Sequence, residues 1–162
     1  MELLWAPWRT AYVQDIDKNR DGCIFCDKPK QSDDKKNLIL YRGNHCFVVL
    51  NLYPYNNGHM MIVPYAHIAD IALLDSATVT EMWELVVLAK KVCSAAINPD
   101  GFNIGMNLGR TAGAGIDQHL HMHIVPRWNG DVNFMATVGQ TKVISQSLES
   151  AWEIFSPMFA KR

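Results

Sequence analysis

The chain has 162 residues, 49% of them hydrophobic, and a formal net charge of −1 at pH 7. This length suits a single domain, residues 1–162, with a substantial core. The basic residues are scattered and make no stripe for nucleic acid, and there is neither a signal-peptide pattern nor an apolar run of about 18 residues. Four cysteines are too few for a disulfide scaffold in a chain of this length. We therefore expect a cytoplasmic enzyme or binding protein that contacts no membrane.

The first third of the chain predicts an opening segment followed by a β-meander. Residues 1–21 carry Trp5 and Trp8 around a proline, which favours a segment pinned to the domain or to a partner chain, although local packing under a loop explains it equally well. Three short apolar runs separated by turn signals then predict antiparallel strands. The runs are Leu38 to Tyr41, Cys46 to Leu50 and Met60 to Val63.

Apolar residues next recur at the spacing of one long amphipathic helix. Asp75 or Ser76 is suited to cap its first turn, because a short polar side chain there can accept a hydrogen bond from a free backbone N–H. The sequence Asn-Pro-Asp-Gly at 98–101 interrupts the pattern. We therefore predict that this helix ends near Ile97.

The rest of the chain adds strands and a helical tail. A strand is predicted from Phe102 to Asn107, and a helix from Gln146 to Phe159 lies in a tail, residues 138–162, that packs on the domain. The whole pattern predicts an α+β fold, an antiparallel sheet with helices on one side.

The segment Gln118 to Val125 alternates polar and apolar residues and predicts a half-buried strand. His119, His121 and His123 then share one face, each roughly 6–7 Å from the next. They could form a metal cage, a nucleophile with its helpers, or a chance cluster. Chance is the weakest explanation, because the chain has six histidines and three are here. The third ring would need a sharp bend to join one ion, so we favour the middle histidine as a nucleophile.

Cys23 and Cys26 form a C-x-x-C pair. Two thiolates from one tight turn suit tetrahedral zinc, and His67 and His119 are candidates for the other two ligands. Four protein ligands leave no position for a reacting water, so the metal would have a structural role. Two buried thiols are the alternative, and a redox pair would need a thioredoxin-like context that is missing.

Two further stretches suggest contacts with a nucleotide. The loop from Gly109 to Gly115 reads G-R-T-A-G-A-G, and its glycines would let backbone N–H groups approach a phosphate closely, although a flexible surface loop would look similar. Asn51 and His59 flank a hairpin-like turn. Asn51 could hold ribose hydroxyls and His59 could brace the histidine strand, or both could simply cap the turn.

These motifs resemble those of the histidine-triad family, whose pattern is His-φ-His-φ-His-φφ with φ apolar. Residues 119–125 read H-L-H-M-H-I-V and match it without departure. The resemblance extends through C-I-F-C and L-N-L-Y-P-Y-N-N-G-H-M-M-I-V-P-Y-A-H-I, so that it covers about residues 22–128. It implies a HIT-like fold, a homodimer whose sheets join, no organic cofactor, and nucleotidyl transferase or hydrolase chemistry on nucleotide phosphates.

The resemblance also implies residue roles. His121 would attack the α-phosphorus, His123 would hydrogen-bond phosphate oxygens or the leaving group, and Asn51 would bind ribose. The base pocket would be lined by Ile24, Phe25 and Leu52. The phosphates would meet Asn107, Gly113, Gly115 and Ile116, with His59 behind the active strand. The zinc ligands of zinc-binding members coincide with Cys23, Cys26, His67 and His119.

Within the family, L-W-A-P-W-R at the start, A-G-A-G-I-D before the triad and P-R-W after it are similar to bacterial diadenosine tetraphosphate phosphorylases. Dinucleoside-triphosphate hydrolases and nucleoside phosphoramidases usually have Gln and then Ser or Thr where this chain has Gly115 and Ile116. The expected reaction is phosphorolysis of diadenosine tetraphosphate to ADP and ATP through an adenylyl-histidine, with inorganic phosphate as acceptor. The alternatives are a hydrolase or phosphoramidase that uses water, and a nucleotide-binding scaffold with vestigial activity.

Overall fold

The computed structural model describes residues 22–132 and 143–160. The helices are α1 (Ile24–Asp27), α2 (Asp34–Asn37), α3 (Ser76–Ile97) and α4 (Leu148–Ala160), and the strands are β1 (Ile39–Arg42), β2 (Cys46–Leu50), β3 (Met60–Pro64), β4 (Gly101–Met106) and β5 (Met122–Arg127). Short 3₁₀ turns cover Lys28–Lys30, Ile71–Leu73 and Arg110–Ala112.

Two expectations fall wholly or partly outside the described residues: the pinned segment of residues 1–21, and the start of the C-terminal tail, residues 138–142. The single-domain boundaries therefore stay a prediction. None of the helices within the described ranges is long and apolar enough to cross a membrane. The cytoplasmic location also stays a prediction.

The five strands form one antiparallel sheet in the order β1-β2-β3-β5-β4. This confirms the predicted α+β class, and the bounds of β1 to β4 and of the long helices agree with the sequence patterns to within a residue or two. Helix α3 begins where expected, because the Asp75 carboxylate accepts a hydrogen bond of 2.7 Å from the Thr78 N–H. It ends at Ile97. The next residue, Asn98, caps the helix with a left-handed φ of 43° and is followed by a proline.

The sheet is buried on both faces. Successive residues of β2 and β3 point to opposite sides, and all of them are buried. One set, which includes Val48 and Ile62, packs under α3 and α4 in the main core. The other set, which includes Phe47 and Met61, forms a second cluster with Phe25 of α1. Each large side chain buried in this way contributes about 1.5–3 kcal/mol. The two long helices do share one side, as predicted, while the short α1 lies on the opposite side.

Strand β5 begins at Met122, four residues later than the alternating pattern suggested. The β3–β5 register pairs Ile62 with Met122, so continuing the ladder would set Pro64 opposite Leu120. Proline has no N–H to donate, and the ladder stops there. The Leu120 N–H instead donates to the Ile68 carbonyl at 2.6 Å, which keeps this stretch extended beside the sheet.

Candidate functional site

The triad histidines follow one another along the second-cluster face of the sheet. The rings of His119 and His121 have their centroids 5.5 and 5.0 Å from the ring of Phe25, and His121 and His123 are 4.9 Å apart. All three side chains are buried, with His119 fully enclosed and His123 9% exposed. The shared face that the alternation predicted is therefore present, although only His123 belongs to the ladder itself.

The hydrogen bonds of His121 select one tautomer for a neutral ring. Its Nδ1 lies 2.9 Å from the backbone carbonyl of His119, and because a carbonyl can only accept, Nδ1 carries the proton. The lone pair is then on Nε2, in a ring that lines a cleft beside the triad. Burial lowers the pKa of the His121 imidazole, and the bond to the His119 carbonyl opposes that shift in part. The arrangement is that of a neutral nitrogen nucleophile.

A second chain of bonds fixes His123. The backbone N–H of Tyr55 donates to Nδ1 of His59 at 3.0 Å, which leaves the proton of a neutral His59 on Nε2. That Nε2 is 2.9 Å from Nδ1 of His123. His59 therefore donates to His123, and a neutral His123 holds its own proton on Nε2. Such a ring can donate a hydrogen bond from Nε2 to an oxygen of a substrate. The tautomer of His121, by contrast, has a lone pair on Nε2 and can act as a nucleophile.

The loop before His59 is packed tightly into place. Gly58 has a φ of +67°, and a Cβ at this position would come within 2.9 Å of Ile97 Cδ1 and 3.1 Å of Phe155 Cζ. Only glycine fits this backbone conformation without strain. Gly58 thus lets the turn press against the helices and hold His59, only 1% exposed, behind the triad.

The four predicted metal ligands converge although they lie far apart in sequence. The ligand atoms of Cys23, Cys26, His67 and His119 all lie within 4.8 Å of one another. Nδ1 of His119 is 3.2 Å from Sγ of Cys23 and 3.3 Å from Nδ1 of His67. A tetrahedral zinc centre requires about 3.5 Å between sulfur and nitrogen and about 3.3 Å between two nitrogens. The donor set and its spacing fit that ion.

The surroundings of His119 support the same conclusion. Its Nε2 lies 2.9 Å from the carbonyl of Pro64, so Nε2 carries the proton and Nδ1 is left to face the two thiols. Metal-binding histidines commonly donate their second N–H to a carbonyl in this way. Burial lowers the pKa of the His119 imidazole, which favours the neutral form that a metal needs.

A cleft opens beside the triad. It is lined by most of the residues predicted to bind a nucleotide: Ile24, Phe25, Asn51, Leu52, Gly113, Gly115, Ile116, His121 and His123. Asn107, which follows the outer strand β4, is not among the lining residues within the described chain, and its predicted phosphate contact stays a prediction.

Five further residues line the cleft that were not predicted from the sequence: Lys28, Leu50, Tyr53, Tyr55 and Met61. The two tyrosines lie in the same turn as Asn51, and Lys28 follows Ile24 by about one helical turn. Their proximity in sequence to Asn51 and Ile24 could have indicated that they line the cleft, because residues on the same turn as a predicted contact share its surroundings. Lys28 is the one charged side chain among the described lining residues.

The fold and the histidine cluster define the class of this protein as a small α+β protein with a histidine triad beside a cleft. The profile of the HIT domain matches residues 32–130, and the chain belongs to the HIT family. An AP-4-A phosphorylase of Mycobacterium tuberculosis is 36% identical over an alignment of 169 positions that covers all of this chain and 86% of that protein. The adenosine 5'-monophosphoramidase hnt1 of Schizosaccharomyces pombe is 33% identical over 108 positions, 67% of this chain and 76% of that protein.

Solved structures agree on the fold. A Zn-bound histidine triad family protein from Mycobacterium smegmatis superposes with a TM-score of 0.68 at 22% identity, over 86% of this chain and 94% of that one. A hypothetical histidine triad nucleotide-binding protein from Sulfolobus tokodaii has a TM-score of 0.67 at 24% identity, over 86% of this chain and 93% of that one.

Proposed function

We propose that this enzyme cleaves diadenosine polyphosphates through an adenylylated His121, and that inorganic phosphate accepts the adenylyl group. The observation that carries the proposal is the contrast between two neighbouring rings. His121 presents a lone pair at the cleft, while its neighbour His123 is held as a hydrogen-bond donor by His59. A nucleophile beside a donor is what transfer at phosphorus requires.

The first step would form a bond between Nε2 of His121 and the α-phosphorus, and break the bond from that phosphorus to the oxygen bridging to the β-phosphorus. The departing nucleoside triphosphate carries the electron pair on that oxygen, and the N–H of His123 donates to it. In the second step an oxygen of inorganic phosphate attacks the α-phosphorus and displaces His121. Diadenosine tetraphosphate and phosphate thereby give ATP and ADP.

The choice of phosphate over water is supported by the AP-4-A phosphorylase relative, which aligns over the whole of this chain. Gly115 and Ile116, which line the cleft, offer no hydroxyl just before the triad. The rival with water as acceptor uses the same histidines, and the monophosphoramidase relative keeps it open as a second candidate.

Product analysis with and without phosphate decides between these reactions. The protein is incubated with diadenosine tetraphosphate, and the nucleotides are separated by anion-exchange chromatography. We expect ADP and ATP at a rate that rises with phosphate concentration, and ³²P from labelled phosphate in the ADP. AMP and ATP at a rate that ignores phosphate would identify a hydrolase. Binding without turnover would favour a nucleotide-binding scaffold.

Zinc at the Cys23, Cys26, His67 and His119 cluster is part of the same proposal. It is supported by the tetrahedral spacing of the donor atoms and by the Zn-bound relative. With four protein ligands the ion would be structural, and its binding would stabilise the folded state. Because Cys23 precedes α1 and Cys26 lies within it, the same ligands would fix Ile24 and Phe25, the two residues between them, in the wall of the cleft.

A homodimer is the third part of the proposal. Strand β4 is one of the two edge strands of the sheet, and its exposed Ile104 lies beside an apolar groove of about 830 Å³. Trp83 of α3 lines the same groove and is 54% exposed. An apolar patch next to an open strand edge is suited to a second copy related by a two-fold axis, since the two edge strands can pair antiparallel. The family resemblance predicts the same joining of sheets.

A further inference from the structure

Lys28 is a half-buried cation in a cleft whose other described lining residues are neutral or histidine. It occupies the 3₁₀ turn directly after α1, about one turn beyond Ile24. Its ammonium donates to the backbone carbonyl of Asn37 at 2.8 Å. Burial lowers the pKa of Lys28, which marks a charge partly withdrawn from water. The single carbonyl uses one of the three N–H groups.

The hydrogen bond to Asn37 places the ammonium toward the β1 side of the sheet, away from the triad. Asn37 is the last residue of α2 and is separated from β1 by Leu38 alone. The Leu38 carbonyl accepts from the N–H of Leu50 on β2 at 2.9 Å. His121 and His123 belong to the β5 side, and β1 and β5 are separated by two strands in the sheet order. At about 4.8 Å per strand the two ends are on the order of 14 Å apart.

The distance between the Lys28 ammonium and the triad places the ammonium near the base of a bound nucleotide. A nucleotide with its phosphorus at His121 extends its sugar and base away from the triad, toward Ile24, Phe25 and Lys28. The apolar side chains suit the faces of a base ring, and the ammonium can meet only its edge. An ammonium donates and never accepts, so it favours an edge made of acceptors. Guanine offers N7 and O6 as two adjacent acceptors, whereas adenine offers N7 beside the N6 amino donor.

We infer that Lys28 donates a hydrogen bond to the base edge and makes this cleft accept guanine at least as well as adenine. The inference rests on the proposed function, since it assumes a nucleotide oriented by its phosphorus at His121. It widens the substrate class from diadenosine polyphosphates to purine dinucleoside polyphosphates in general, including the guanine and mixed compounds.

The test compares diguanosine and diadenosine tetraphosphate as substrates of the wild type, Lys28→Met and Lys30→Met. Methionine keeps an unbranched apolar stem and removes the ammonium. Lys30 is the matched control, because it lies on the same turn but is exposed and ion-paired with Asp27 at 2.9 Å. The quantity measured is the ratio of kcat/KM for the guanine substrate to that for the adenine substrate. Because both values come from one preparation, any loss of folded protein cancels.

We expect a wild-type ratio of one or more, a fall of at least about fivefold in Lys28→Met, and no change in Lys30→Met. A wild-type ratio far below one, or a Lys28→Met ratio equal to that of the wild type, would overturn the inference while leaving phosphorolysis intact. Calorimetric titration with GMP and AMP separates the two proposals. A Lys28-dependent preference in binding without any turnover rejects the proposed reaction and keeps the base contact, and an enzyme that binds neither mononucleotide rejects both.

Discussion

His59 and His123 are 64 positions apart in sequence, yet Nε2 of the first lies 2.9 Å from Nδ1 of the second. The bond holds the proton of His123 on the nitrogen that can meet the substrate. His59→Phe keeps a ring but removes the donor, and we expect kcat to fall about 10- to 100-fold with a smaller change in KM. Steady-state kinetics checks this, with ¹⁵N shifts of the His123 ring as a direct view of its tautomer. An unchanged kcat together with an unchanged tautomer would remove His59 from this role.

His121→Ala should abolish turnover while nucleotide affinity stays within a few-fold of the wild type. Removing a covalent nucleophile typically costs on the order of 10⁴-fold or more in kcat, because the alternative path has no intermediate. Rapid-quench assays and calorimetric titration with AMP measure the two quantities. His45→Ala serves as the control, since His45 is an exposed residue in the turn before β2. Turnover retained by His121→Ala would mean that another group attacks phosphorus.

Metal analysis should find one zinc per chain, lost in Cys23→Ser. We expect that variant to melt on the order of 5–10 °C lower and to bind nucleotide more weakly, since α1 forms a wall of the cleft. Cys93→Ala is the control. Its thiol is fully buried on the inner face of α3, and burial raises the pKa of Cys93 to about 12, so the substitution should affect packing without changing the zinc content. A metal-free wild type of full stability would leave the cysteine pair as ordinary buried thiols.

Glu81 of α3 should make stability depend on acid pH. Burial acts to raise the pKa of its carboxyl, but backbone N–H donors from Asn44, His45 and Cys46 outweigh burial and lower the pKa below its usual 4.5. A lowered folded-state pKa stabilises the fold above the unfolded value, and this contribution is lost as pH falls through the lowered value. Glu81→Gln should therefore unfold more easily at pH 7, by about 1 kcal/mol.

The difference between Glu81→Gln and the wild type should shrink as the pH is lowered from about 5 to about 3, because the wild-type carboxyl becomes neutral. Urea unfolding at several pH values measures it. Glu84→Gln, at an exposed position on the same helix, is expected to match the wild type throughout. A pH-independent difference between Glu81→Gln and the wild type would contradict the electrostatic explanation.

Ile104→Glu should convert the proposed dimer into monomers, since it sets a charge in the apolar groove beside β4. Sedimentation velocity gives the oligomeric state. Ile154→Glu is the matched control, because Ile154 is also exposed but lies on α4, which packs beside β1 at the opposite edge of the sheet. A wild type that sediments as a monomer at micromolar concentration would refute the dimer.

The sequence by itself determined the elements and the chemical groups. The span of α3 follows from helical periodicity, and the bounds of β2 follow from a short apolar run between turn signals. Both patterns depend only on neighbours within a few positions. The triad could also be recognised from residues 119–125 alone. The C-x-x-C turn likewise named two metal ligands, and zinc chemistry then required two more.

The tertiary structure decided which groups meet and in which protonation state. Pro64 ends the β3–β5 ladder, and the Pro64 carbonyl accepts a hydrogen bond from His119. The hydrogen bond from His59 leaves the proton of His123 on Nε2, where it can be donated. Lys28 became part of the cleft because α1 folds over the face that carries the triad. Such facts depend on distances between residues far apart in sequence, and those distances are set by how the sheet and helices pack. No short-range pattern in the chain encodes them.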